Sequence, residues 1–235
     1  MSAIVTRRRP RPKQGTPTPP PGAVRFRRRL LAWYGRHQRR LPWRGVRDPY
    51  AILVSEIMLQ QTQVSRVLDF YPRFLARYPT LEDLAAAPAD AVRETWEGLG
   101  YYARARNLHA AARHVVDRLA GRLPESREAL RRLPGIGLYT AGAVASFAFG
   151  ADVPAVDTNA VRVLGRAFRI RGRRKSAART RRVWTLAAAL VPRGRAADWN
   201  QALMDLGALY CTARAPRCPV CPVRRDCAAV AVPKR

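Results

Sequence analysis

Acidic residues are scarce. Asp and Glu number 16 against 44 Lys and Arg, and none precedes Asp48. A net charge of +28 is hard to hold on a folded domain without a polyanionic partner. Nucleic acid is the first candidate and an acidic membrane surface the second; the arginine bias of a GC-rich genome is the bland alternative. Lysine is nearly absent too, so arginine carries the charge, and its planar fork suits bidentate contact with phosphate. No apolar run approaches the roughly 20 residues of a membrane-spanning helix. No apolar segment follows the basic N-terminus, so no secretory signal is expected. A soluble, cytoplasmic, nucleoid-associated monomer with no membrane partner is expected. Only four cysteines occur, all between Cys211 and Cys227, which argues against a disulfide framework. No segment alternates apolar and polar residues as a half-buried strand would.

What is present reads as helices. Residues 1–24 are basic and rich in Pro and Gly, a disordered tail by composition. From there "FRRRLLAWYGRH" sets Phe26, Leu30, Trp33 and Tyr34 on one face. "TLEDLAAAPADAVRETWEGLG" holds two short helices, with Thr80 as an N-cap candidate and Pro88 opening the second. "YYARARNLHAAARHVVDRLAG" is a long amphipathic helix with Leu108, Ala111, Val115 and Leu119 inward, closed by Gly121. Further helical runs lead to Cys211. The expected fold is all-α with short loops.

Three features carry chemistry. In "LPGIGLYTAGAV", Gly135 and Gly137 are spaced for a tight turn straight into a helix. Free backbone N–H groups at that N-terminus form a phosphate site that reads no sequence; a plain packing turn is the alternative. Second, Cys211, Cys218, Cys221 and Cys227 follow the spacing C-x6-C-x2-C-x5-C. Four thiolates in one loop suit a [4Fe–4S] cluster, and zinc is the rival. Third, Glu56 and Asp157 stand out as carboxylates in apolar surroundings. Glu56 follows "AILVS", whose burial would raise its pKa into the range of a general acid at neutral pH. Asp157 begins a helix after Pro154. It reads equally as an N-cap and as the ionised partner of a carboxylate pair of the kind that cleaves glycosidic bonds.

The hairpin "LPGIG", the "VDTN" aspartate and the four-cysteine loop resemble the HhH-GPD superfamily of DNA glycosylases, the endonuclease III group. "SEIMLQQTQV", with "LPWR" before it and "GLGYYARARNLH" after it, is similar to the adenine glycosylases of the MutY type. The resemblance covers residues 26–228 and implies two helical lobes. Residues 42–151 would form a six-helix barrel with a helix–hairpin–helix. Residues 25–41 and 152–228 would form an iron–sulfur cluster lobe, with the active site in the cleft between the two. It implies double-stranded DNA with an adenine mispaired with G or 8-oxoguanine as partner, and base flipping. Carried over residue by residue, Glu56 would protonate the adenine at N7 and Asp157 would stabilise the oxocarbenium-like sugar. Tyr139 stands where bifunctional relatives carry a Schiff-base lysine, which implies a monofunctional enzyme. Gln61 would wedge into the base stack, Tyr101 would stack near the lesion, and Arg44 with Trp43 would edge the adenine pocket. Gly135 and Gly137 would hold the phosphate turn. The four cysteines would hold the [4Fe–4S] cluster.

Two other readings stand beside this one. A thymine or uracil mismatch glycosylase of the same fold would share the tyrosine and the aspartate but lack the glutamate and the "LQQTQV" block. A non-catalytic basic DNA-binding module would gain nothing from buried carboxylates beside phosphate. MutY-type enzymes carry a further C-terminal domain that helps recognise 8-oxoguanine. This sequence stops eight residues after Cys227, so a catalytic portion without that domain is expected.

Overall fold

The computed structural model describes residues 19–173 and 176–230. Among these the chain forms eleven α-helices and no strand. Residues 1–18 of the basic tail lie outside the described residues. Helix α1 (Ala23–His37) opens at Ala23, which is buried, so the end of the stretch read as tail belongs to the fold. Phe26, Leu30, Trp33 and Tyr34 form its buried face, as the spacing predicts.

Helix α2 (Pro49–Met58) starts where Asp48 accepts the N–H groups of Tyr50 and Ala51, with Pro49 at the first helical position. Every residue from Tyr50 to Met58 is buried, so α2 is a central helix without a solvent face. It packs against α3 (Val64–Arg77), α6 (Ala103–Leu119) and α8 (Leu138–Phe147), while α4 (Leu81–Ala86) and α5 (Ala89–Thr95) pack on α6 and the single turn α7 (Arg127–Leu130) packs on α8. Thr80 caps α4 in a reciprocal capping box with Asp83. In α6, Leu108, Ala111 and Val115 are fully buried, but Leu119 is 37% exposed. The helix outruns its core by a turn before Ala120 and Gly121, both at positive φ, end it.

The chain folds around two hydrophobic cores. One spans Trp43 to Ala145 and centres on Ile52, Met58, Phe74, Trp96 and Leu108. The other joins α1 to α9 (Thr158–Ala167), α10 (Ala177–Leu190) and α11 (Ala196–Leu209), around Phe26, Leu164, Val183 and Trp199. Burial of each such side chain contributes roughly 1.5–3 kcal/mol. Helix α8 contacts both α2 and α11, and Ala143, Ala155 and Met204 form a small seam between the cores. No described helix is long and apolar enough to cross a membrane.

Candidate active site

A cleft of about 800 Å³ opens between the two cores. Glu56, Tyr139, Asp157, Arg44, Trp43 and Gln61 all line it. That volume is in the range of small-ligand pockets. Glu56 stands near the end of α2 and is 5% exposed, because the helix that carries it is packed on all sides. Its carboxylate accepts a hydrogen bond from the Tyr139 hydroxyl at 2.6 Å. Burial pushes the Glu56 pKa up to about 7; the Tyr139 hydrogen bond and the Arg44 charge oppose the rise, and Asp157 adds to it. A carboxyl with that pKa gives or takes a proton at neutral pH. The Tyr139 hydroxyl is itself raised well above its ordinary value by burial and by the neighbouring carboxylates, so it remains a donor.

Asp157 is the N-cap that the sequence offers: it caps α9 through the Ala160 N–H at 2.7 Å, and it also faces the cleft. Asn159 donates to its second oxygen at 2.7 Å. Burial raises its pKa, and the Ala160 and Asn159 hydrogen bonds pull the value back down. The segment before it is held by Asn200, fully buried on α11. Asn200 accepts from the Ala155 N–H and donates to Val153 O and Ser146 Oγ. Helix α8 meets that segment at Gly142, where a Cβ would lie 2.4 Å from the Pro154 carbonyl oxygen. Gly142→Ala is therefore expected to shift the Asp157 segment and to cost about 1–3 kcal/mol of stability. Thermal melting checks the stability loss, and faster amide hydrogen exchange at 153–157 in the still-folded variant checks the shift.

Arg44 is less free than sequence implies. Its guanidinium donates to Asp205 at 2.9 Å and to the Tyr34 hydroxyl at 2.5 Å, and the Tyr34 hydroxyl in turn donates to Gln201. Asp205 is completely buried and also receives Arg39 at 2.7 Å. Burial pushes the Tyr34 phenol up to about 12. Trp43 packs edge-to-face on Tyr71 at 5.4 Å, so it is a core residue whose edge reaches the cleft. Gln61 and Tyr101 are both exposed and both adopt positive φ, at 58° and 51°. Gln61 borders the cleft, whereas Tyr101 stands outside it at 57% exposure.

At the hairpin only Gly135 adopts positive φ, and a Cβ there would also strike Asn107 at 2.4 Å. Gly137 is the N-cap of α8 with ordinary extended backbone, so the turn requires one glycine rather than two. No side chain caps α8, which leaves its first N–H groups without intrahelical partners.

The four cysteines are free thiols, and all line one small apolar cavity with Phe26 and Tyr210. Among the described residues no group of three or more ligand side chains is gathered into a metal site. The donor chemistry suits a soft metal centre: four cysteines line one cavity, and Arg166 donates to Cys211 Sγ at 3.3 Å. Burial pushes the Cys221 thiol up to about 11.

Sequence reasoning missed Asp205, Asn200, Gln201 and Arg104. Asp205 was within reach, since "LMDLG" sets a rare carboxylate in an apolar helix just as "LVSEIM" does. The others carry no signal in sequence.

Comparison with known proteins fits this geometry. The HhH-GPD superfamily of base excision DNA repair proteins matches residues 54–188. Proteins named adenine DNA glycosylase from Rattus norvegicus and Homo sapiens are 47% and 46% identical over 213 residues, 87% of this chain. That from Mycolicibacterium smegmatis is 46% identical over 196 residues, 83% of this chain and 66% of its own length. The chain spans only 41% of the rat protein and 39% of the human one. Among solved structures, a thermostable thymine-DNA glycosylase superposes with a TM-score of 0.82 at 35% identity, covering 89% of this chain and 97% of that one. A trapped endonuclease III–DNA covalent intermediate superposes at 0.75 with 25% identity, covering 88% and 95%. Fold, cleft and sequence agree: the chain belongs to the HhH-GPD superfamily of base excision DNA repair proteins.

Proposed function

We propose that the chain is a monofunctional DNA glycosylase that releases adenine mispaired with G or 8-oxoguanine in duplex DNA. The observation that carries this reading is Glu56: a buried carboxyl with a pKa near 7, held by Tyr139 in the same cleft as Asp157. Adenine is a poor leaving group until its ring is protonated. Glu56 gives its proton to N7, the C1′–N9 bond breaks, and the bonding pair stays with the base. Asp157 as carboxylate stabilises the oxocarbenium-like sugar. Water adds at C1′ and its proton returns to a carboxylate. Tyr139 cannot form a Schiff base, so the strand stays intact. Gln61 enters the stack beside the flipped nucleotide, Tyr101 stacks near it, and Arg44 with Trp43 bounds the base pocket. The N–H groups after Gly135 and Gly137 take a DNA phosphate.

In this reading residues 42–151 are the barrel lobe, and residues 25–41 with 152–228 are the cluster lobe. The two separate cores support that division. Cys211, Cys218, Cys221 and Cys227 would hold a [4Fe–4S] cluster, which would staple the loop carrying Arg214, Arg217, Arg224 and Arg225 toward DNA.

The likeness to a thymine-DNA glycosylase, spanned over 97% of its length, favours a second reading: thymine or uracil released from mispairs with G. Thymine can leave as an anion and needs no ring proton, so Glu56 separates the two. Duplexes with A opposite G, A opposite 8-oxoguanine, T opposite G and U opposite G, scored for base release after hot alkali, decide between them. Adenine release is expected. Thymine release with adenine untouched would sink the proposal, and cleavage without alkali would sink the monofunctional claim.

A further inference from the structure

Arg104 lies on the first turn of α6 and is only 6% exposed. Both terminal nitrogens of its guanidinium are spent on backbone carbonyls. Nη1 donates to Ile57 O at 3.1 Å, to Met58 O at 2.7 Å and to Gln60 O. Nη2 donates to Gly100 O at 2.9 Å and Leu99 O at 3.3 Å. The same group lies 5.3 Å from the Tyr101 ring centroid and 5.5 Å from that of Trp96. The first three carbonyls belong to the end of the helix that carries Glu56 and to the turn that follows it. The other two belong to the turn that presents Tyr101. Each turn ends in a non-glycine residue at positive φ, Gln61 and Tyr101, a conformation that persists only where its surroundings enforce it.

Burying a guanidinium this deeply is unfavourable unless its donors are used. Five carbonyls from two segments far apart in the chain take up both terminal nitrogens, and only Nε is left buried without a partner. Lysine could not do the same: an ammonium is a compact point donor, whereas the planar fork reaches both turns at once.

We infer that Arg104 is a positioning residue that locks the Gln61 turn, the Tyr101 turn and the end of the Glu56 helix into one rigid unit. The inference rests on the proposal that Gln61 and Tyr101 enter the DNA. Two tips that part a base stack must keep a fixed separation, and Arg104 sets it. The proton donor then stands in register with the nucleotide they expel.

The test uses the full chain and a duplex with 2-aminopurine at the target position opposite G. Arg104→Lys should retain helical circular dichroism and, since phosphate contacts dominate affinity, bind DNA within about threefold of the parent. It should lose the fluorescence rise that reports flipping. Single-turnover base release at saturating protein should fall about a hundredfold, the scale expected when reacting groups lose their register. Gln61→Ala and Tyr101→Ala should each cost much less in the Arg104→Lys background than in the parent, since coupled residues are not additive. A parental fluorescence rise in Arg104→Lys, or fully additive losses, would overturn the inference.

A second measurement avoids altering Arg104. Trp96 Nε1 donates to Gly100 O at 3.2 Å, on the Tyr101 side. Trp96→Phe, which removes that donor, should speed amide hydrogen exchange at 99–102 and, through Arg104, also at 59–62. Unchanged exchange at 59–62 would overturn the coupling even where Arg104→Lys fails to fold. If the parent releases thymine and not adenine, the adenine reading fails, while the fluorescence and exchange results still decide the role of Arg104.

Discussion

Glu56→Gln is expected to reduce adenine release by about 10³-fold or more while leaving DNA binding intact, since general acid catalysis contributes roughly 10²–10⁴-fold. Glutamine keeps the shape and can still accept the Tyr139 hydrogen bond, but it has no proton to give. The pH profile carries the sharper signature. With a pKa of about 7, Glu56 is protonated below neutrality and loses its proton above it. Single-turnover release by the parent should therefore fall about tenfold per pH unit on the alkaline side. Asp157 must be ionised, and burial raises its pKa, so an acidic limb should appear above the ordinary aspartate range. Tyr139→Phe removes a hydrogen bond that favours the Glu56 carboxylate. The alkaline limb should then move to higher pH. A limb that stays put would show that Glu56 does not govern it.

The same shift makes Glu56 a burden on stability. Its pKa is higher folded than unfolded, rising from 4.5 to about 7, so the folded state takes up the extra proton. The cost is absent below the unfolded pKa, grows as pH rises through the window from about 4.5 to about 7, and stays constant above it. It amounts to about 3 kcal/mol as an upper figure. Glu56→Gln should melt higher than the parent at pH 8 and near the parent at pH 5, the mark of an active-site residue retained against stability.

Asp205→Ala should be the most destabilising of the substitutions considered. Asp205 is fully buried and binds the Arg39 guanidinium and backbone N–H together with both Arg44 nitrogens. Removing it leaves Arg44, whose side chain is 10% exposed, without its counter-charge. Breaking a buried pair from one side costs roughly 3–5 kcal/mol, which lowers the melting temperature of a domain this size by about 10 °C. Base release should fall further than melting explains, because Arg44 lines the cleft and its fixed direction depends on Asp205 and Tyr34. Comparison at a temperature where the variant remains folded separates the two losses. Full activity there would mean that Arg44 does not bound the base.

Much of the site was readable before any coordinates, because scarcity makes a residue conspicuous. Glu56 stood out as a carboxylate in an apolar run, and "LPGIG" announced its turn through glycine chemistry. The cysteines declared themselves by clustering. Arg104 did not, because it is one arginine among dozens, and nothing local separates a buried guanidinium from a solvated one. A glycine pair does not tell which member needs positive φ, and here it is Gly135. Leu119 was misplaced because helical periodicity gives a face but not the point where the core stops.

By itself the sequence determined the helical class, the caps at Thr80 and Asp157, and the charge that fits a polyanion. These are local or compositional properties, set by a few adjacent residues or by the chain as a whole. Only the tertiary structure decided that Glu56 and Tyr139 share a hydrogen bond, that Asp205 restrains Arg44, and that Arg104 ties two distant turns together. Those facts depend on which surfaces the two cores bury and on the burial that moves each pKa. Neither exists until segments far apart in the chain are packed.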